Sequence, residues 1–290
     1  MNVAPANPDA VDSLLEQSIR DIGIPPRPVI LDRIAAEMRK DDPNFKYLAQ
    51  AIGADVSLAA SLIKTANSPY FGVHSRVRST NEALQMLGLN VTARAIAGIV
   101  LRKVFPATPS LERFWDASAQ IATLSGWLAK ILDQPKLRSD DAYTYGLFRD
   151  CGIPVMLRRF PNYGAVLAVA NAEATLAFTD VEQAHFPTNH AMLGCLLAQN
   201  WWLPEEICQA IRHHHDLAAI ERFESGLPSA SRYLIACAQL AEHILQQRTG
   251  RSQTQEWPKL GAACLRLLDL SAEELPVLYD KAAVVLKADE

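Results

Sequence analysis

The stretch Gly146-Leu147-Phe148-Arg149-Asp150-Cys151-Gly152 sets an arginine directly before an aspartate in a glycine-flanked, largely apolar segment. A guanidinium stays protonated at physiological pH and has no lone pair to offer a cation, whereas a carboxylate can ligate a metal. The adjacent charges therefore favour a structural role for Asp150, which would pair with a cation or cap a backbone amide near Gly152. We expect a scaffold element at this point and not a metal centre.

The chain around this stretch has a helical hydrophobic period. Apolar residues recur at helical spacing in Leu58 to Ala66 and in Ile121 to Leu132. Serine followed three residues later by glutamate, the spacing of a capping box at a helix start, occurs at Ser79 and Ser271. Gly88 follows an apolar run and is predicted to end its helix. Because no Asn-Gly or Asp-Gly turn joins two alternating segments, the predicted fold class is all-α.

Two prolines divide the predicted helices into two groups. Pro106 and Pro109 interrupt the helical pattern within the segment 105–110. We predict an N-terminal helical lobe at residues 1–107 and a second helical lobe at residues 108–290. Of the 290 residues, 49% are hydrophobic and 21% charged, so the chain has enough apolar material for a large globular core.

The charge balance argues against bulk binding of nucleic acid, because the formal net charge is −4. A local excess of basic residues lies between positions 60 and 105, where the only acidic residue is Glu82. We expect these basic residues to form solvated helix faces and not a nucleic-acid patch. They are Lys64, Arg76, Arg78, Arg94, Arg102 and Lys103.

The sequence predicts a cytoplasmic protein with no membrane partner. Residues 1–10 have neither the basic nor the apolar region of a signal peptide. The longest apolar run, Ala95 to Leu101, falls far short of the roughly 20 residues that cross a bilayer. Five cysteines, odd in number and without a C-x-x-C pair, are interpreted as buried and unbridged.

In sequence order, a set of short motifs resembles the HDOD domain, the HD-related output domain of bacterial signalling proteins. The resemblance covers about residues 20–217 and is specific through the order of the motifs. It implies an all-helical fold whose second lobe is an HD-like bundle, no general enzymatic activity, and a regulatory output role. The motifs are Ile24-Pro25-Pro26-Arg27-Pro28, Ala66-Asn67-Ser68-Pro69-Tyr70-Phe71, Asn81-Glu82-Ala83-Leu84-Gln85-Met86-Leu87-Gly88, Phe114-Trp115, the stretch 146–152, Asn189-His190-Ala191-Met192-Leu193-Gly194 and Trp201-Trp202-Leu203-Pro204-Glu205-Glu206-Ile207.

The same resemblance locates the metal-ligand positions of the HD phosphohydrolases, whose signature is Gly-Leu-Leu-His-Asp-Ile-Gly. Arg149 stands at the histidine of that signature, Ala117 at an earlier histidine, and a late aspartate falls near Gln239. Asp150 and His190 remain. Two ligands are too few, because a structural zinc site uses four and a catalytic one at least three. We therefore predict no catalytic residue, no metal and no cofactor.

Three consecutive histidines, His213, His214 and His215, are the richest group of potential ligands. Neighbouring residues on a helix project about 100° apart, so we expect one to face the former metal site and the others to face solvent. His190 is expected to donate from its ring to a core carbonyl.

Adjacent tryptophans, Trp201 and Trp202, must point in different directions on any regular element. An exposed tryptophan makes a strong anchor for a binding partner, whereas a buried pair would belong to the core. The sequence does not decide between these outcomes or say which ring is exposed.

The favoured function is a non-catalytic signal-transduction module, such as a response-regulator output in a two-component system. It would act on a signalling or regulatory protein, or through a homo-oligomer. One alternative is a metal-dependent phosphohydrolase or cyclic-dinucleotide phosphodiesterase that uses Asp150, His190 and the histidines 213–215. A second is a nucleotide- or nucleic-acid-binding regulator that uses the basic residues between 64 and 103.

Overall fold

The computed structural model describes residues 21–71, 76–221, 226–250 and 253–287, and its regular structure in these ranges is entirely helical. The predicted all-α class is confirmed. The α-helices are α1 Val29–Met38, α2 Phe45–Gly53, α3 Val56–Ala66, α4 Thr80–Val104, α5 Pro109–Leu132, α6 Ser139–Phe148, α7 Gly152–Arg159, α8 Tyr163–Ala172, α9 Phe178–Gln183, α10 His190–Asn200, α11 Glu205–His213, α12 Leu217–Glu221, α13 Ser229–Thr249, α14 Glu256–Leu268 and α15 Leu275–Lys287.

Local sequence signals start several of these helices. The Ser271 amide donates to the Glu274 carboxylate at 2.8 Å, and this capping box is complete. At α4, the Ser79 hydroxyl accepts from the Glu82 amide at 3.1 Å, but the Glu82 carboxylate accepts from the amide of Arg78 and not from that of Ser79. The second half of this predicted box is thus displaced by one residue.

Helix α4 consists of two helical segments that meet at Gly88, the residue at which the sequence predicts a helix end. Gly88 has φ 69° and ψ 170°, so it inserts a kink into a helix that resumes beyond it. Glycine allows this because it carries no Cβ to clash at positive φ. Helix α4 is long and apolar enough to cross a membrane. Core helices of globular proteins can be equally long and apolar, and part of α4 is buried within the fold.

One continuous cluster of buried apolar side chains extends from Ile24 to Leu286. It includes residues on both sides of the break between α4 and α5, where the sequence places the boundary of its two lobes. That boundary stays a prediction. All five cysteines are free and buried, as predicted: Cys151, Cys195, Cys208, Cys237 and Cys264.

The backbones of α7 and α10 touch where two glycines face each other. A Cβ added to Gly152 would lie 1.9 Å from the carbonyl oxygen of His190 and 2.7 Å from the amide nitrogen of Gly194. A Cβ on Gly194 would lie 3.2 Å from the amide nitrogen of Gly152. The approach is as close as backbones allow, and it holds Asp150, two residues before Gly152, against the start of α10.

We predict that Gly152→Ala destabilises the fold by about 3 kcal/mol or more, because the added methyl group collides with backbone that cannot rotate away. Urea denaturation followed by circular dichroism measures the change. Gly53→Ala is the control, because an added Cβ there meets nothing within 4 Å. Equal free energies of unfolding for the two variants would show that α7 and α10 do not need this contact.

Candidate functional site

Arg149 lies buried at the end of α6 and is held by two carboxylates. Its Nε and Nη2 donate to Oδ2 of Asp150 at 3.0 and 2.8 Å. Its Nη2 also lies 2.9 Å from Oε1 of Glu242 on α13. The predicted pairing of Asp150 with a cation is confirmed. The pair is extended by Glu242 into a three-residue ionic network.

The network fixes the charge of its members in different ways. Burial opposes ionisation of Asp150, but Arg149, His214 and His190 together outweigh it and hold the pKa of Asp150 well below its usual range. Burial raises the pKa of Glu242, and Arg149 offsets this only in part. Arg149 itself stays charged, because Asp150 and Glu242 overcome the cost of burial and raise its pKa.

His190, the first residue of α10, lies fully buried beside Glu182 at the end of α9. Its Nδ1 is 2.8 Å from both carboxylate oxygens of Glu182, and its backbone amide donates to Oε2 at 3.1 Å. The Tyr163 hydroxyl donates to the same carboxylate at 2.5 Å. The expected carbonyl acceptor for His190 was therefore wrong, because a buried carboxylate takes that position and raises the pKa of His190 against the opposing effect of burial.

His214 and His215 both turn inward, contrary to the helical-wheel expectation. Helix α11 ends at His213, and the side chain of Asp216 accepts from the Ala219 amide at 3.1 Å, so a new helix starts immediately. The short break between the two helices frees two successive side chains from helical spacing. His213 stays partly exposed, with Nδ1 3.9 Å from Asp216, and does not join the cluster.

Each inward histidine is fixed by its Nδ1. Nδ1 of His214 lies 2.7 Å from the carbonyl of Ile211, and Nδ1 of His215 lies 2.5 Å from Glu256. Phe178 stacks on the His215 ring at 4.7 Å between centroids. Burial and the neighbouring His215 lower the pKa of His214 to about 3, so His214 is neutral at physiological pH.

The remaining nitrogens converge with Asp150. One ligand atom each from Asp150, His190, His214 and His215 lies within 4.8 Å of the others. Imidazole nitrogen together with carboxylate oxygen is a donor set that suits first-row transition metals. Of the positions named from sequence, the structure therefore brings Arg149, Asp150, His190, His214 and His215 together and leaves His213 outside.

Ala117 and Gln239, which the resemblance places at two metal-ligand positions, both pack in or against the helical core. Ala117 lies on α5 among side chains packed on the core. Gln239 is buried on α13, where its Nε2 donates to Oε2 of Glu242 at 3.3 Å. A carboxylate thus lies three residues beyond Gln239, at Glu242 in the stretch Leu240-Ala241-Glu242, close to where the resemblance places the late aspartate.

An open cavity of about 680 Å³ borders the cluster at His215 and Glu256. Arg212 and Lys259 contribute cationic groups to its lining, and Asp180, Asp216 and Glu256 contribute carboxylates. The balance of charges suits a polar small molecule as well as solvent.

The tryptophan pair divides between core and surface. Trp201 is 3% exposed, and its Nε1 donates to the carbonyl of Pro25 at 3.2 Å. Trp202 is 56% exposed and adopts φ 59°, a backbone conformation that bulky residues rarely take. The guanidinium carbon of Arg27 lies 3.1 Å from the centroid of the Trp202 ring, and that of Arg39 lies 5.5 Å away.

Half of the basic residues between positions 64 and 103 form ion pairs with acids from outside that interval. Arg94 pairs with Asp141, Arg102 pairs with Asp116 at 3.0 Å, and Lys103 pairs with Asp55 at 3.4 Å. These pairs reduce the excess positive charge on which a nucleic-acid site would depend.

A sequence model of the HDOD domain matches residues 24–217. An uncharacterized protein of Treponema pallidum (strain Nichols) is 27% identical over 237 residues, which are 81% of this chain and 45% of that protein. The chain thus spans about half the length of this curated relative.

Solved structures share the fold. An HDOD domain protein of unknown function from Geobacter sulfurreducens has a TM-score of 0.65 at 22% identity, covering 92% of this chain and 93% of that one. A Shewanella amazonensis SB2B protein, provisionally named a phosphohydrolase, has a TM-score of 0.67 at 19% identity, and the match covers 95% of each chain. A Marinobacter aquaeolei VT8 protein, provisionally named for signal transduction, has a TM-score of 0.64 at 22% identity. The match covers 95% of this chain and 59% of that one.

Replacing Arg149 by methionine should destabilise the protein by roughly 3–5 kcal/mol, because two carboxylates would lose their buried cation. The free energy of unfolding from urea titration measures this. Arg102→Met breaks an exposed ion pair and should cost less than about 1 kcal/mol. If both variants lost the same small amount, the Arg149 network would not be a structural element.

Proposed function

This chain belongs to the HDOD domain family, and from that premise we propose that it is a non-catalytic module of bacterial signal transduction. It acts through contact with a signalling or regulatory protein, in the cytoplasm and without a membrane partner. The similarity to a protein named for signal transduction supports the regulatory part of this proposal. The observation that carries the non-catalytic part is the buried Arg149 between Asp150 and Glu242.

Arg149 leaves little room for hydrolytic chemistry. It occupies one oxygen of Asp150, so this carboxylate cannot bridge two metal ions. A catalytic metal needs an open position for water or substrate, whereas the four candidate ligand atoms here already supply a full tetrahedral set from side chains that are largely buried. The pocket that would hold a substrate borders the cluster only at His215 and Glu256.

Trp202 supplies the contact surface in this proposal. Its indole is exposed and is stacked against Arg27, with Arg39 also over the ring. Exposed tryptophan and arginine are the residue types that dominate binding energy at protein interfaces. Two guanidinium groups beside the ring suit a partner that presents carboxylates, so we assign this surface to an acidic segment of a regulatory protein.

A phosphohydrolase is the second candidate, and the 680 Å³ cavity beside His215 is the observation that favours it. Arg212 and Lys259 in its lining could bind phosphate groups. This activity would require the metal to be reached from the cavity side of His215.

We predict no hydrolysis of cyclic dinucleotides, nucleotides or generic phosphodiesters by the purified chain with Mn²⁺, Fe²⁺, Zn²⁺ or Mg²⁺ added. Arg149→His should not create activity, because Ala117 still lacks a donor. Product formation is followed by chromatography. Turnover that depends on added metal and disappears in Asp150→Asn would overturn the non-catalytic proposal in favour of the hydrolase.

Trp202→Ala should weaken the complex with the native partner by about 2 kcal/mol or more, which is roughly 30-fold in Kd, without unfolding the chain. Crosslinking in the native host identifies the partner, and calorimetry with the purified pair measures affinity. Val169→Ala is the matched control, because Val169 is also 56% exposed. Equal affinities for the two variants would remove Trp202 from the interface.

A further inference from the structure

Four of the six distances among the converging atoms are close to those of a tetrahedral coordination shell, and all six are within 4.8 Å. Nε2 of His190 lies 3.2 Å from Nε2 of His214 and 3.1 Å from Nε2 of His215. Oδ1 of Asp150 lies 3.1 Å from Nε2 of His214 and 3.6 Å from Nε2 of His190. Bonds of about 2.0–2.1 Å to a tetrahedral Zn²⁺ place its ligands about 3.3–3.4 Å apart.

The hydrogen bonds of the histidines direct their lone pairs to this point. Each Nδ1 has an oxygen acceptor, provided by Glu182 for His190, Ile211 for His214 and Glu256 for His215. Each ring therefore donates through Nδ1 and keeps its lone pair on Nε2. Three such lone pairs close together repel one another unless a cation lies between them. Carboxylate and carbonyl partners on the far ring nitrogen are the usual support of metal-bound histidine.

The charges around the cluster leave room for a divalent ion. Four carboxylates and two cationic side chains are linked to it, so the carboxylates outnumber the cations by two. One divalent cation would balance this excess. The carboxylates are Asp150, Glu182, Glu242 and Glu256, and the cations are Arg149 and Lys259.

We propose that Asp150, His190, His214 and His215 bind one divalent transition metal, with Zn²⁺ preferred, in a closed structural site. The sequence-based expectation of no metal counted only Asp150 and His190, whereas the helix break after His213 supplies two further ligands. Arg149 does not prevent binding, because it uses Oδ2 of Asp150 and leaves Oδ1 directed at the histidines. The ion would join the end of α6, the start of α10 and the end of α11.

The proposal deepens the non-catalytic function proposed above, and the two can fail separately. Protein produced without a histidine tag should contain one equivalent of zinc per chain by elemental analysis. Cobalt-substituted protein should show the visible absorption of tetrahedral Co²⁺. Chelation should lower Tm by about 5 °C or more, and added Zn²⁺ should restore it.

Variants assign the ligands. His214→Ala should lose the zinc and the cobalt spectrum, whereas His213→Ala should keep both, because His213 lies outside the cluster. Retention of metal by a folded His214→Ala would overturn the ligand set. If that variant does not fold, the stoichiometry and spectrum of the wild-type chain decide the proposal.

The metal site would be overturned if the wild-type protein held far less than one equivalent of metal and its Tm did not respond to Zn²⁺. A proton shared among the histidines would then take the place of the metal. Full zinc without hydrolysis supports both proposals. Full zinc with metal-dependent hydrolysis keeps the site but overturns the non-catalytic function.

Discussion

The buried guanidinium of Arg149 is the constraint on which the site depends. A charge removed from water costs several kcal/mol unless partners with good geometry surround it. Asp150 and Glu242 provide these partners from the end of α6 and from the middle of α13. The requirement fixes the orientation of Asp150, with Oδ2 on the arginine and Oδ1 on the histidines. The arginine thus positions a carboxylate oxygen toward the histidines.

A second constraint, the glycine contact between α7 and α10, acts on the same residues from the other side. Gly152 and Gly194 let the two backbones touch, which sets Asp150 beside the first turn of α10 and therefore beside His190. Around this frame, Glu182 holds Nδ1 of His190 and Glu256 holds Nδ1 of His215, so that the Nε2 atoms of both rings face the cluster. Stability and donor geometry therefore have the same origin.

Much of the fold was predictable, because it follows from local signals. Helical periodicity, the complete capping box at Ser271 and the helix end at Gly88 each depend on residues close in sequence. The errors arose where that locality fails. His214 and His215 converge because a helix ends one residue before them. Glu182, Glu242 and Glu256 contact the site from distant segments, so no local pattern announced them, although Leu240-Ala241-Glu242 carried a partial signal.

The coupling between Arg149 and Glu242 measures most directly whether the buried guanidinium holds the site together. A double-mutant cycle combines Arg149→Met, Glu242→Gln and both changes, with the free energy of unfolding read from urea denaturation. We predict that the double variant is more stable than the sum of the single changes by about 2 kcal/mol or more, because each single change leaves a buried polar group without its partner. Additivity within about 0.5 kcal/mol would contradict the account, since it would mean that the guanidinium does not depend on Glu242.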